Sequence, residues 1–387
     1  MAEDVRAKSD ELAKQLWAIA NEFRGNMDAS EFKNYILGLI FYRYLSEKTE
    51  NYMNELLKDD EITYSEALAN PKYTDVVKEW SLEHLGYIIL PKNMWSSLIE
   101  LIDENALTVE DLEKAVNSLT ASTIGQESEA AFRGLFNDMN LKADHLGREV
   151  SERTALISKV MQKIDALSFA VKDTQFDYLG TAYMILIGLF QSGAGKKAGE
   201  FFTATCASKL VARLATGGLQ EVKYACDPCA GSGSLLLEVK NSLPEHKVGH
   251  FYSQELNSTT YNLNRMNMLL HGVPYRQFTA YNDDTLRHDN FMKMVSRSCL
   301  LCRFLTRHIL LLTPRVIRLI LMMPDIPLVA FLLRKQKPIW LLLNIWYITW
   351  MMMEGLPFCS LLAFCLEVLQ KRKLEDISLS LRIFWMQ

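Results

Sequence analysis

The segment that most constrains the fold is Asp227-Pro228-Cys229-Ala230-Gly231-Ser232-Gly233-Ser234, an acidic-Pro-x-x-Gly-x-Gly turn set directly after the apolar run Val222 to Cys226. Small residues let the backbone approach a ligand closely. The Ser234-Leu235-Leu236-Leu237-Glu238 run that follows can open a helix whose N-terminus faces the bound group. Strand, glycine turn and helix in that order mark a nucleotide-type cofactor loop. The same turn also serves as a plain strand-to-helix connection, so its meaning depends on its surroundings.

From about residue 170 the glycines Gly180, Gly188, Gly193, Gly195 and Gly199 arrive in quick succession, and short apolar strands then alternate with helical patterns. Val222 to Cys226 is the first strand, His250 to Gln254 the second and Gln277 to Tyr281 the third. Between the last two, Leu263, Met266, Met268, Leu269 and Leu270 define a helix over Thr259 to Leu270 that Gly272 can end. This alternation predicts an α/β fold with a parallel, doubly wound sheet, whose ligands bind at the carboxyl ends of the strands. Glu255 follows the second strand, where a carboxylate can accept hydrogen bonds from ribose hydroxyls. Asn282, Asp283 and Asp284 follow the third, where a carboxylate or amide can receive an adenine amino group. A solvated carboxylate and a simple Asn-Asp turn are the plainer readings. Three polar sites at three successive strand ends describe a place for an adenosine-containing cofactor without requiring a pyrophosphate.

The first 165 or so residues read as helices. Leu12, Leu16, Ile19, Ala20 and Phe23 recur at helical spacing, and Phe32, Tyr35, Ile36, Leu39 and Ile40 follow Asp28 and Ser30 as N-cap candidates. A helical domain that is neither basic nor motif-bearing suits docking or packing better than catalysis. The domain limits expected are 1–165 for the helices, 166–291 for the cofactor domain and 292–387 for a remainder of different texture.

The net charge of -4 averages two unlike parts, since residues 1–291 carry 29 basic and 41 acidic side chains while residues 292–387 carry 13 and 5. Such asymmetry can mark a basic nucleic-acid arm. The acidic start Met1-Ala2-Glu3-Asp4 has no apolar stretch of a secretory signal, which points to the cytoplasm. Seven cysteines without a signal argue for reduced thiols. Cys226/Cys229 and Cys299/Cys302 have the spacing of zinc ligands, but Cys226 ends a strand and Cys229 lies inside the glycine turn, so no metal is expected.

Gly193-Ala194-Gly195-Lys196-Lys197-Ala198-Gly199-Glu200-Phe201-Phe202-Thr203, the Asp227 to Ser234 turn, Tyr252-Ser253-Gln254-Glu255-Leu256-Asn257, Thr259-Thr260-Tyr261-Asn262-Leu263 and Arg265-Met266-Asn267-Met268 together resemble the modification subunit of type I restriction-modification systems. Gln15-Leu16-Trp17-Ala18 and Phe41-Tyr42-Arg43-Tyr44-Leu45-Ser46 are similar to that family's N-terminal domain. The resemblance covers residues 8–291. It implies an N-terminal helical domain followed by a Rossmann-like methyltransferase domain, and an N6-adenine DNA methyltransferase using S-adenosylmethionine. It further implies that Glu200, Phe201, Phe202, Thr203, Ala204 and Thr205 contact the methionine end of the cofactor, that Asp227, Gly231, Ser232, Gly233 and Ser234 form its loop, that Glu255 holds the ribose and that Asp283 holds the adenine. Partners implied are a specificity subunit, a restriction subunit and double-stranded DNA, with no membrane. Ala204 stands where family members usually have proline, so that turn is looser.

Methyl transfer in this family also needs an Asn-Pro-Pro-Phe or Asn-Pro-Pro-Tyr turn after the fourth strand, which orients the target amine and stacks on a flipped base. No such turn exists in the chain, so it offers no catalytic residue and the methyltransferase domain is expected to be truncated after its third strand. Residues 292–387 hold one glycine, Gly355, with four of the seven cysteines and four of the seven tryptophans. Pro338 to Met353 is uncharged and apolar, which raises a membrane helix, but it is short for a span and Glu354 follows it. The codons give a better account. Trp350-Met351-Met352-Met353-Glu354-Gly355 requires TGG ATG ATG ATG GAR GGN, and a frame beginning one base earlier, taken as A, reads Met-Asp-Asp-Asp-Gly. In that frame Arg303 to Leu310 can read Val-Ser-Asn-Pro-Pro-Tyr-Ser, the missing turn. The expectation is a frameshift between about Met292 and Cys302, with out-of-frame text beyond it. The main alternative is a non-catalytic remnant that keeps only the docking role of its helices; a membrane-associated protein is a third.

Overall fold

The computed structural model describes residues 2–20, 29–168, 178–193, 205–216, 219–285, 287–288, 290 and 302–303. All of them belong to one compact unit, Met1–Thr306. The Pro338 to Met353 segment, the N-cap candidate Asp28 and the residues Glu200 to Ala204 lie outside the described residues. Among the described residues no helix is long and apolar enough to cross a membrane.

The helical part opens with α1 (Ala2–Ala20) and α2 (Ala29–Leu56). The apolar positions picked out by spacing, Leu12, Leu16 and Ile19 on α1 and Phe32, Tyr35, Ile36, Leu39 and Ile40 on α2, are all buried. Short helices α3 (Tyr64–Ala69), α4 (Pro71–His84), α5 (Trp95–Asp103), α6 (Val109–Ser122) and α7 (Glu129–Phe132) follow, then α8 (Val150–Asp165), α9 (Tyr178–Gly193) and α10 (Thr205–Thr216). Their starts are written locally. Thr63 with Glu66 and Thr108 with Asp111 form reciprocal capping boxes for α3 and α6, and Asn70 caps α4 with Pro71 at its first position. Arg43 of α2 pairs with Glu47 at 2.6 Å and donates to the Ile164 carbonyl, while Trp95 Nε1 donates to Asp165 at 2.8 Å, so α2 and α5 are both tied to the end of α8.

The three strands expected from the sequence are present, each longer or shifted by a residue or more: β1 (Glu221–Asp227), β2 (Lys247–Glu255) and β3 (Phe278–Asn282). Helices α11 (Ser234–Ser242) and α12 (Ser258–Leu270) connect them. Every pairing is parallel, with Cys226 opposite Tyr252 and Tyr252 opposite Thr279. Beyond the expected three, a two-residue strand β4 (Cys302–Arg303) pairs with Ala225 and Cys226, giving the order β3-β2-β1-β4. The three long strands thus form the first part of a Rossmann-like sheet, and β1 lies inside it.

Helix α12 is unusual in that every residue from Asn262 to Leu270 is buried. One side of it faces the sheet, and its other contacts are with the helical part. Asp138 accepts from Thr259 Oγ1 at 2.7 Å and from Asn262 Nδ2 at 2.6 Å, and Tyr44 Oη donates to the Leu269 carbonyl at 3.1 Å. Arg265 donates to the carbonyls of Ala130 at 3.1 Å and Arg133 at 2.8 Å, beside its stack on Tyr261. Helices and sheet share one continuous apolar core.

Candidate cofactor site

At the carboxyl end of β1 the chain turns sharply through Pro228 to Gly233, and two glycines carry the turn. Gly231 has φ +55° and Gly233 φ +80°, backbone that L side chains rarely adopt. A Cβ on Gly231 would meet nothing within 4 Å, whereas one on Gly233 would meet Asn264 Nδ2 at 3.0 Å. The first glycine therefore borders open space and the second is pressed against α12. Gly233 is also the N-cap of α11 and, as a glycine, gives that helix no side-chain cap. Its first turn of amides is thus left without the usual Ser, Thr, Asn or Asp partner, which suits an anionic group of a ligand.

Asp227 ends β1 and is fully buried. Its Oδ1 accepts from the Cys229 amide at 3.0 Å, while Oδ2 has no hydrogen-bond partner among the described residues. Burial, with Glu255 adding like charge, pushes its carboxyl up to about 7 despite the Cys229 hydrogen bond. A buried carboxylate oxygen without a donor among these residues is costly.

Glu255 sits across the turn at the end of β2. Its Oε2 accepts from the Gly231 amide at 2.9 Å and its Oε1 from the Asn257 amide at 2.9 Å. An ionised carboxylate has about four lone-pair positions, so two remain for ligand hydroxyls. The Ala230 amide adds a bond to the Gln254 carbonyl at 3.0 Å, so the turn from β1 is clamped to the end of β2.

Asp283 follows β3, and its amide donates to the Glu255 carbonyl at 3.2 Å, which brings the ends of β2 and β3 together. Its carboxylate accepts from His288 Nδ1 at 2.9 Å, Asn290 Nδ2 at 3.0 Å and the Asp284 amide at 2.8 Å, and these bonds hold it down at about 2. A further donor must share it with these local partners. Asn282 turns its amide back onto the carbonyls of Glu255 at 2.8 Å and Leu256 at 3.0 Å. Thr205 begins α10, and Glu200, Phe201, Phe202, Thr203 and Ala204 lie outside the described residues. Among the described residues no cluster of three or more His, Cys, Asp or Glu side chains is arranged to hold a metal ion.

Sequence reasoning gave no role to two residues near the turn, although Asn267 stands in one of the motifs that carry the family resemblance. Asn264 and Asn267 of α12 reach the Gly231 carbonyl at 3.4 Å and the Ser232 carbonyl at 2.8 Å. The available signal was a pair of asparagines three apart on the helix directly after the strand that ends in Glu255.

A parallel sheet whose first strand runs into a glycine turn, with a carboxylate closing the second strand, is the arrangement of a Rossmann-like methyltransferase domain. The chain belongs to the modification-subunit family of type I restriction systems: the HsdM N-terminal domain family matches residues 12–164 and the N-6 DNA Methylase family residues 174–299. It is 35% identical over 284 residues to the type I restriction enzyme MpnII methylase subunit of Mycoplasma pneumoniae, covering 70% of this chain and 52% of that protein. It is 24% identical over 301 residues to the MjaIX methylase subunit of Methanocaldococcus jannaschii, covering 73% and 49%. The crystal structure of a type I restriction-modification system methyltransferase subunit from Streptococcus thermophilus aligns with a TM-score of 0.67 at 32% identity, covering 73% of this chain and 60% of that one. The chain spans about half the length of the curated relatives it matches.

Proposed function

We propose that this chain is the cofactor-binding part of an adenine-specific DNA methyltransferase subunit, which takes S-adenosylmethionine at the glycine turn and descends from an enzyme that methylates adenine N6 in DNA. The observation that carries the reading is the fully buried Asp227, with one oxygen lacking a donor, beside an open glycine turn and a helix without a side-chain cap. These groups fit an amino acid that is attached to a nucleoside. Asp227 would hold the ammonium, the α11 N-terminus the carboxylate, Glu255 the ribose hydroxyls and Asp283 the adenine amino group, with Glu200 to Thr205 along the methionine. Such a cofactor, when bound, supplies an electrophilic methyl group. The residues present bind and orient it. The chain carries no Asn-Pro-Pro-Phe or Asn-Pro-Pro-Tyr turn to place an acceptor amine.

Residues 292–387 are read as out-of-frame text, so the chain as written binds cofactor without transferring methyl. Support comes from the shift to a basic balance after residue 291, the restored turn in the alternative frame and a family match that ends at residue 299. Its partners are a specificity subunit, a restriction subunit and double-stranded DNA, and its compartment the cytoplasm. The acidic balance of residues 1–291 is poorly suited to holding DNA alone, so sequence reading falls to a partner. The test measures S-adenosylmethionine binding and methyl transfer to duplex DNA by this chain and by a version with its frame restored, each with a specificity subunit. Binding by both chains and transfer by the restored one alone is the expected result. A restored chain that binds no S-adenosylmethionine overturns the reading, and a gene whose alternative frame carries no family-like text overturns the frameshift.

A further inference from the structure

Burying a side-chain amide is costly unless its hydrogen-bonding groups are matched. Asn264 and Asn267 lie on α12 at 1% and 0% exposure, and both aim their amide groups at the carbonyl side of the glycine turn. Asn267 Nδ2 donates to the Ser232 carbonyl at 2.8 Å. Asn264 Nδ2 lies 3.4 Å from the Gly231 carbonyl, and its Oδ1 accepts from Ser253 Oγ of β2 at 3.1 Å, which fixes the direction of the amide. Each peptide unit in the turn is planar, so holding the carbonyls of Gly231 and Ser232 toward α12 turns the following amides the opposite way. The Gly233 amide closes the turn on the Ala230 carbonyl at 2.9 Å, so the Ser232 amide and the first turn of α11 form the wall of the proposed site.

The helix that carries both asparagines is itself pinned at its other contacts. Between and before them, Arg265 donates to the carbonyls of Ala130 and Arg133, and Thr259 and Asn262 donate to Asp138. All three acceptors belong to the helical part of the chain.

We propose that Asn264 and Asn267 are positioning residues for the cofactor turn, and that Asp138 and the Ala130 and Arg133 carbonyls fix them in place, so the helical domain helps to set the shape of the turn. The inference deepens the cofactor reading above and rests on it for the identity of the ligand. The coupling itself concerns only this chain.

Two variants of the full chain test it, Asn267→Leu beside the turn and Asp138→Ala in the helical part. Native-state hydrogen exchange of the 228–234 peptide is compared with a reference peptide from α2, and S-adenosylmethionine affinity is measured in parallel. Loss of one such bond is expected to raise turn exchange about five- to tenfold relative to α2, and to weaken binding by a similar factor. If both peptides loosen together, or the turn is unchanged in Asp138→Ala, the residues are merely structural and the proposal is overturned. Should Asn267→Leu fail to fold, the partly exposed Asp138→Ala decides alone. A turn that loosens selectively in a chain that binds no S-adenosylmethionine upholds the positioning role and refutes the cofactor assignment instead.

Discussion

Replacing Asp227 by asparagine should strengthen the fold and weaken the site, by amounts that depend on pH. The wild-type carboxyl is displaced from an ordinary 3.8 to about 7, chiefly by burial. At about 1.4 kcal/mol per pH unit this corresponds to about 4 kcal/mol. The sign follows from which state holds the proton. Below pH 4 the carboxyl is protonated in both folded and unfolded chains and carries no penalty. Between pH 4 and 7 the unfolded chain releases its proton while the folded chain retains it, so stability falls as pH rises and levels off above 7. Asparagine matches the protonated form in shape, keeps the acceptor for the Cys229 amide and cannot ionise. Asp227→Asn should therefore be close to neutral at pH 4 and stabilising by about 2–4 kcal/mol at pH 8, the lower figure allowing for water reaching the ionised group. Urea unfolding followed by pulsed hydrogen exchange in the β1–β2 peptides measures this difference locally. Binding should move the other way, with S-adenosylmethionine affinity falling about tenfold or more at pH 7.5, where an ionised Asp227 faces a ligand ammonium. A stability gap between the two chains that stays constant from pH 4 to 8 would refute the account of the buried carboxyl.

Gly231→Ala and Gly233→Ala separate ligand space from packing. Both pay for positive φ, about 1 kcal/mol each, but only the Gly233 methyl strikes Asn264. Thermal melts should show Gly233→Ala as the less stable, while titration with S-adenosylmethionine should show Gly231→Ala losing affinity beyond its small loss of stability; equal behaviour of the two would contradict the open space drawn beside Gly231. Glu255→Gln should weaken S-adenosylmethionine binding about tenfold and bring the Asp227 carboxyl down, since Glu255 is one of the groups that raise it. Proton titration of Asp227 by NMR checks the second effect, and an unchanged value would count against that coupling. Arg265→Met leaves the Ala130 and Arg133 carbonyls without their donor and should lower stability by about 2–4 kcal/mol in chemical denaturation. Full stability in that variant would mean that the guanidinium, which burial already pulls down from its ordinary range, contributes nothing net.

The elements that the sequence made legible are those whose cause is local. Val222 to Cys226 reads as a strand because a mostly apolar run ends in an acidic turn, and Thr259 to Leu270 reads as a helix because its apolar residues recur at helical spacing before Gly272, which adopts φ +70°. The placing of Glu255 beside the glycine turn was also legible, since parallel strands bring their carboxyl ends to one edge. What stayed hidden depends on which groups face each other across elements. Nothing in the residues around Asp227 says that its second oxygen meets no donor, and nothing near Asp283 says that His288 and Asn290 occupy its carboxylate.

Helix α12 shows the limit most plainly. Its polar residues Asn262, Asn264, Arg265 and Asn267 look like positions open to solvent, yet all four are buried. The spacing rule assumes that one face of a helix meets water. Here the sheet and the helical part cover α12 together, and each polar side chain finds a carbonyl or carboxylate on one of them. A helix that mixes polar with apolar residues is therefore ambiguous in sequence: the same text specifies either a surface or a seam. Because it is a seam, one mutation in the helical part can reach the turn through two hydrogen bonds to Asp138 and one helix, which is why the exchange measurement on Asp138→Ala bears on the architecture as well as on the site.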